Sequence, residues 1–251
     1  MRKQNFLLFV TAISFCTTST PLSGDVTKSF YFGRTAFGDG STSTINSCNT
    51  GSTSVVARVI FRDATTGEAL HDEQSQLQGS QCDVTNFQEG DDLKVGFVEL
   101  RITGPEDVEV ISSLFMQLRV GDNTTDEVRI NPEEATLRFT VNFSEKAELR
   151  NGIAIVDTTG NGFNCNVEYR DSSGTLIQGQ AIQAGGSQGR ARFFDEIIDG
   201  LPDGFGWVAF DCSAEVAAMT LGQNPVSGNL SVGNVFPSSA SSNAGGGDIT
   251  D

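Results

Sequence analysis

The sequence is poor in the groups that most enzymes use. It holds one histidine, His71, and one tryptophan, Trp207, in 251 residues. No C-x-x-C pair is present, so a tight zinc site has no ligands at the required spacing. No G-x-S-x-G elbow supplies a nucleophilic serine, and a triad would have to be built on His71. That histidine lies in the polar stretch ALHDEQ, which reads as a solvated connection. The glycine-rich AGGSQG sits between strand-like runs rather than between a strand and a helix, so it is no phosphate cradle. Basic residues are also scarce, 16 against 32 acidic ones, giving a net charge of −16. Such a surface repels phosphate backbones and anionic lipid, which makes nucleic acid and membrane surfaces poor partners. Past the N-terminus no apolar run is long enough to cross a bilayer.

The N-terminus itself is distinctive. Met1-Arg2-Lys3 precedes FLLFVTAISFC, and small and polar residues follow through Gly24. A basic start, a short apolar run and a small-residue exit describe a secretory signal peptide over residues 1–24, with cleavage expected between Thr17 and Asp25. Phe15 stands where lipoprotein processing wants a small residue, so Cys16 is assigned to the discarded leader. At the other end, residues 241–251 fall in a low-complexity stretch that cannot bury enough surface to fold, and a disordered tail is expected.

Between these ends the chain repeats itself. VVARVIFRDATTGEAL and FNCNVEYRDSSGTLI both run along an apolar alternation into aromatic-Arg-Asp and a turn ending in glycine. Arg62-Asp63 recurs as Arg170-Asp171, Gly79-Ser80-Gln81 as Gly186-Ser187-Gln188, and Gly96-Phe97-Val98 as Gly206-Trp207-Val208. The landmarks keep their order at a spacing of about 108 residues, too long for a solenoid and close to a whole domain. Two copies are read, over residues 26–132 and 133–240. Asp63 and Asp171 precede turns, where an aspartate accepts backbone N–H bonds and starts the reversal.

Four cysteines remain after leader removal: Cys48 and Cys82 in copy one, Cys165 and Cys212 in copy two. An even count in an exported chain reads as two disulfides, with three connectivities open. The one that respects the repeat is Cys48–Cys82 with Cys165–Cys212. Phe163, Cys165, Val167 and Tyr169 alternate strictly with polar residues, as in a half-buried strand. In GWVAFDC the same period buries Val208, Phe210 and Cys212. Both cysteines of copy two thus fall on core faces, where a bridge between two packed sheets would need them. Copy one has Ala57 and Ile102 at those positions, so its bridge sits elsewhere.

Short strand-like runs recur throughout copy two: GIAIVD, FNCNVEY, TLIQGQAI, RARFF, GWVAF and VAAMTL. They indicate an all-β fold of two tandem Ig-like β-sandwiches. One helical signal interrupts them, with Phe194, Ile197, Ile198 and Leu201 at i, i+3, i+4 and i+7. A single helical turn is expected there, plugging one end of the second sandwich. NFQEGDDL is its weaker counterpart in copy one.

The series NGIAIVDTTGNGFNCNVEYRDSSGTLI, FFDEII and GWVAF resembles the tandem Ig-like β-sandwich repeats of exported, largely uncharacterised bacterial proteins. Those repeats often read G-[LI]-A-[IL]-x-[ND], then D-x-x-G, then F-x-x-E-[IL]. The match covers residues 152 to about 221, and copy one departs from it by reading STINSCN in place of GIAIVD. The resemblance implies a bacterial, extracytoplasmic β-sandwich protein and carries over no catalytic residue.

Candidate chemistry is therefore sparse. Asp157 to Glu168 resembles a calcium loop, with Asp157, Asn161, Gly162 and Glu168 in place, but its second half reads as a strand that carries Glu168 away. A plain turn is the better reading, and no metal or cofactor is expected. The carboxylate pairs Asp91-Asp92, Glu133-Glu134 and Asp195-Glu196 read as surface charge. Phe97 and Trp207 share one repeat position and point away from their own cores by alternation. They are candidate contacts for a ligand or partner, against packing under a loop or on the neighbouring domain. The sequence is thus expected to encode an exported, non-enzymatic structural or adhesive protein, extracellular, at the cell surface or periplasmic, that contacts protein or glycan. A carbohydrate-binding module is the alternative, and a secreted hydrolase built on His71 a more distant one.

Overall fold

A computed structural model describes residues 24–88, 90–120, 123–145, 150–201, 204–224 and 230–238. The expected signal peptide (apart from Gly24), Cys16 and the expected 241–251 tail lie outside the described residues. The first half forms β1 (Val26–Phe37), β2 (Thr42–Asn49), β3 (Val55–Asp63), β4 (Ala69–Leu77), β5 (Cys82–Phe87), β6 (Lys94–Gly104), β7 (Val110–Val120) and β8 (Asn123–Ile130). The second half begins with β9 (Thr136–Glu145), β10 (Arg150–Asp157), β11 (Phe163–Asp171), β12 (Leu176–Gln178) and β13 (Ile182–Ala184). It continues with β14 (Gly189–Phe193), a 3-10 turn at Phe194–Glu196, β15 (Gly204–Gln223), β16 (Leu230–Asn234) and β17 (Phe236–Pro237).

In the first half two antiparallel sheets face each other, ordered β1-β6-β3-β4 and β5-β2-β7-β8. Phe32, Phe61, Val98 and Leu100 from one layer meet Ile45, Phe87, Leu114 and Met116 from the other. The second half has the same order, with β9, β10, β11, β12–β13 and β14 standing where β1 to β5 stand. The first part of β15 replaces β6, its last part replaces β7, and β16 replaces β8. The pairs β2–β5 and β3–β6 correspond to the B–E and C–F pairs of an immunoglobulin sandwich, while β7 lies beside β2 instead of β6. The all-β sandwich reading holds.

Three details differ from expectation. GWVAF and VAAMTL are not separate strands but parts of the 20-residue β15. Its register with β9 shifts between Asp211 and Val216, where the strand leaves one layer and enters the other. The disulfides are Cys48–Cys82 and Cys165–Cys212, but each joins neighbouring strands of one layer rather than two facing sheets. Alternation fixes which face a cysteine takes; it is silent on whether the partner lies beside it or across the core. Finally, His71 lies within β4 and not in a connection. β4 is an edge strand whose side chains are mostly exposed, so it carries no apolar alternation to read.

The helical signal becomes a 3-10 turn, with Phe194, Ile197 and Ile198 buried in the second core. Among the described residues no helix is long and apolar enough to cross a membrane.

Candidate functional site: two equivalent outer faces

The Arg-Asp phrase builds the same hairpin twice. Asp63 Oδ1 accepts the N–H groups of Thr65 and Thr66, both at 2.8 Å. Asp171 Oδ1 accepts those of Ser173 and Thr175, also at 2.8 Å. These bonds hold both carboxyls below the usual aspartate range, led by Thr66 N–H for Asp63 and the Ser173 hydroxyl for Asp171. Each arginine then closes its loop: Arg62 donates to Gly67 O at 3.2 Å and Arg170 to Gly174 O at 3.3 Å. In both copies the arginine stands opposite the aromatic of the adjacent strand, Arg62 with Phe97 and Arg170 with Trp207.

The surroundings of these two aromatics diverge. Phe97 points out of its own sandwich, as alternation requires, but it is only 1% exposed. It packs with Tyr31, Val156 and Ala217 in a cluster between the two sandwiches. Phe97 is thus no open contact for a ligand; the second half of the chain covers it. The hairpin around it is used as well: Gly189 N–H donates to Ala64 O at 2.9 Å. A Cβ on Gly67 would stand 2.6 Å from Ser187 O, so only glycine allows the two loops to meet. Tyr31 Oη donates to Thr158 O at 3.4 Å. Beneath, the buried Glu99 carboxylate is held by Arg62 at 3.2 Å and Arg101 at 2.6 Å.

Trp207 is 37% exposed, with the Arg170 guanidinium 5.7 Å from its ring centroid. Phe205, two residues earlier on the same face, is 68% exposed. Pairing with β9 adds Asn142 beside Trp207, and Phe236 on β17 stands opposite Thr140 on that face, also exposed. An open depression of about 500 Å³ is lined by Asn142, Asp171, Ser172, Gly174, Phe205 and Trp207. It offers aromatic platforms with an amide, a carboxylate and a hydroxyl at the rim, and can bind by stacking and hydrogen bonding.

Asp157, His71 and the Asp195-Glu196 pair are tied up structurally. Asp157, at the head of the calcium-like loop, accepts the N–H groups of Thr159, Gly162 and Ser187 at 2.6–3.0 Å. Burial pushes its carboxyl up, but these bonds outweigh burial and hold it low. Its oxygens anchor the 158–162 turn to the 185–188 turn, a role that suits an acceptor-only group. His71 bonds Glu73 at 3.4 Å and sets its ring edge-on to Phe87. Asp195 and Glu196 both pair with Arg150. Among the described residues no group of three or more histidine, cysteine, aspartate or glutamate side chains could hold a metal ion.

Sequence reasoning missed Phe205, although a phenylalanine between Gly204 and Gly206 at the head of a strand was a visible signal. It also missed the interface partners Val156 and Ala217. Their signal was the lack of alternation in GIAIVD and VAAMTL, since a strand buried on both faces reads as a continuous apolar run. No protein-family model matches this chain, and no similar curated protein is found.

Proposed function

We propose that the protein is an exported, non-enzymatic structural or adhesive component acting at or beyond the cell surface, with the Trp207 face as its contact surface. The observation that carries this reading is the divergence of Phe97 and Trp207. One hairpin-and-aromatic surface serves as a protein contact in the first copy, and its equivalent in the second is open. Two disulfides suit an oxidising compartment, and the repeat resembles those of extracytoplasmic bacterial proteins.

The test is capture of envelope material from the producing organism by the purified chain and by Trp207→Ala. Loss of capture in the variant supports the reading. Equal capture by both proteins, or a hydrolytic rate that disappears in His71→Ala, overturns it. The depression beside Trp207 favours one second reading, a glycan site built on stacking aromatics. A glycan array with tryptophan fluorescence as readout decides between them.

A further inference from the structure

The second sandwich docks on the first through the outer face of its β14-β10-β15 layer. Ala154, Val156, Ala217 and Met219 there are all buried, although none points into its own core. The equivalent positions in the first sandwich follow from the ladders. The Val156–Ala217 pair corresponds to Cys48–Ile111, Ala154–Ala191 to Asn46–Val84, and Ala154–Met219 to Asn46–Ser113. The loops match too: Asp157 N–H donates to Gln188 O at 2.9 Å, and Asn49 N–H to Gln81 O at 2.8 Å. Ser187 and Ser80 both adopt positive φ, 55° and 60°. Each sandwich thus has a receiving face and an inserting face, and one of each remains open.

The open inserting face carries apolar groups at the docking positions. Ile111 is 64% and Val84 53% exposed, flanking the partly exposed Cys48–Cys82 bridge. The open receiving face carries Phe205, Trp207 and Phe236. We infer that the receiving face of one chain binds the inserting face of a second copy, repeating between chains the contact that joins the two sandwiches within one. In this arrangement Trp207 takes the place of Phe97 and packs on the Cys48–Cys82 bridge and Ile111. The 171–174 hairpin meets the Gly79-Ser80 loop as the 63–67 hairpin meets Gly186-Ser187. The contact is heterologous, so chains add head to tail at either end. It is also more polar than the internal one, with Asn46 and Ser113 in place of Ala154 and Met219. A mixed face tolerates water, which suits a reversible, concentration-dependent association rather than an obligate one. The inference rests on the proposed contact role of the Trp207 face and names its partner.

The test uses Phe205→Asp and Ile111→Asp, two exposed positions where the charge leaves the cores intact; circular dichroism checks the fold. In sedimentation equilibrium the unmodified exported chain should rise in mean mass with concentration, while each variant alone stays monomeric. Mixed in equal amounts, the variants should form a dimer and stop there, because each keeps one intact face. An unmodified chain that is monomeric at all concentrations overturns the inference, as does self-association of Ile111→Asp, which would mean that Trp207 faces pair with each other. A monomeric chain that loses envelope or glycan binding in Phe205→Asp also overturns it, while leaving the Trp207 contact surface standing.

Discussion

The two sandwiches share strand order, hairpins and turn chemistry, yet they spend their outer faces differently. In the first, the face around Phe97 is a buried joint and the face around Cys48–Cys82 is open. In the second, the assignments are reversed: Ala154, Val156, Ala217 and Met219 are buried in the joint, while Trp207 and Phe205 meet solvent. The staples follow the same division. Cys165–Cys212 lies on the core face of β11 and β15, whereas Cys48–Cys82 lies on the outer face of β2 and β5. A repeated fold therefore does not imply repeated surfaces. The core positions are set by the need to bury apolar area in every copy, while each outer face is set by what covers it.

Truncating the two aromatics should separate the two faces most strongly. Phe97→Ala should cost about 3–5 kcal/mol, because a buried ring and its packing are lost. Trp207→Ala should cost under about 1 kcal/mol, since a partly exposed ring loses little on truncation. Urea denaturation of both variants measures the difference, and equal costs would mean that the joint does not depend on Phe97.

The disulfides come next. Removing Cys165–Cys212 by paired alanine substitution should cost about 2–5 kcal/mol, and removing Cys48–Cys82 should fall at the lower end of that range. The two bridges close loops of similar span, 34 and 47 residues apart in sequence. What separates them is the packing lost with the buried sulfurs. Under native conditions a thiol reductant should open Cys48–Cys82 first, because its sulfurs can be reached; mass spectrometry of alkylated peptides reads the order.

Asp157 and Asn49 occupy one position in the two copies and sharpen the contrast further. Asn49 bonds Thr53 O, Leu77 O and Gly51 N–H, a mixed donor and acceptor set that an amide meets. Asp157 receives only donors. Asp157→Ala should cost about 1–3 kcal/mol by leaving three part-buried N–H groups without their acceptor. Because its folded pKa lies below the unfolded value, its contribution is present above pH 3.8 and is lost as pH falls through the folded pKa. Acid titration of the second sandwich against Asp157→Asn shows this directly.

The smallest effect is expected at Glu133, in the connection between the halves. Burial pushes its carboxyl up to about 7, from 4.5. The folded state therefore holds the proton more tightly than the unfolded one. The associated stability is full below pH 4.5 and is lost as pH rises through 7. Partial solvent exposure limits the change to about 1 kcal/mol. Thermal melts between pH 4 and 8 should show a decline that Glu133→Gln removes.

The amino-acid sequence alone determined the all-β fold, the repeat and the turns. Period-two alternation, Asx turns and glycine positions are local, so residues such as Phe163 to Tyr169 and Asp171 to Gly174 declare themselves. Of the three connectivities that the sequence left open, the one that respects the repeat is the one formed. The tertiary structure alone decided that each bridge lies within one layer, that β15 crosses from one layer to the other, and that His71 sits in a strand. It also decided that Phe97 is covered while Trp207 is open. Alternation tells which side of a strand a residue takes, but the neighbour on that side is brought there by chain segments about a hundred residues away.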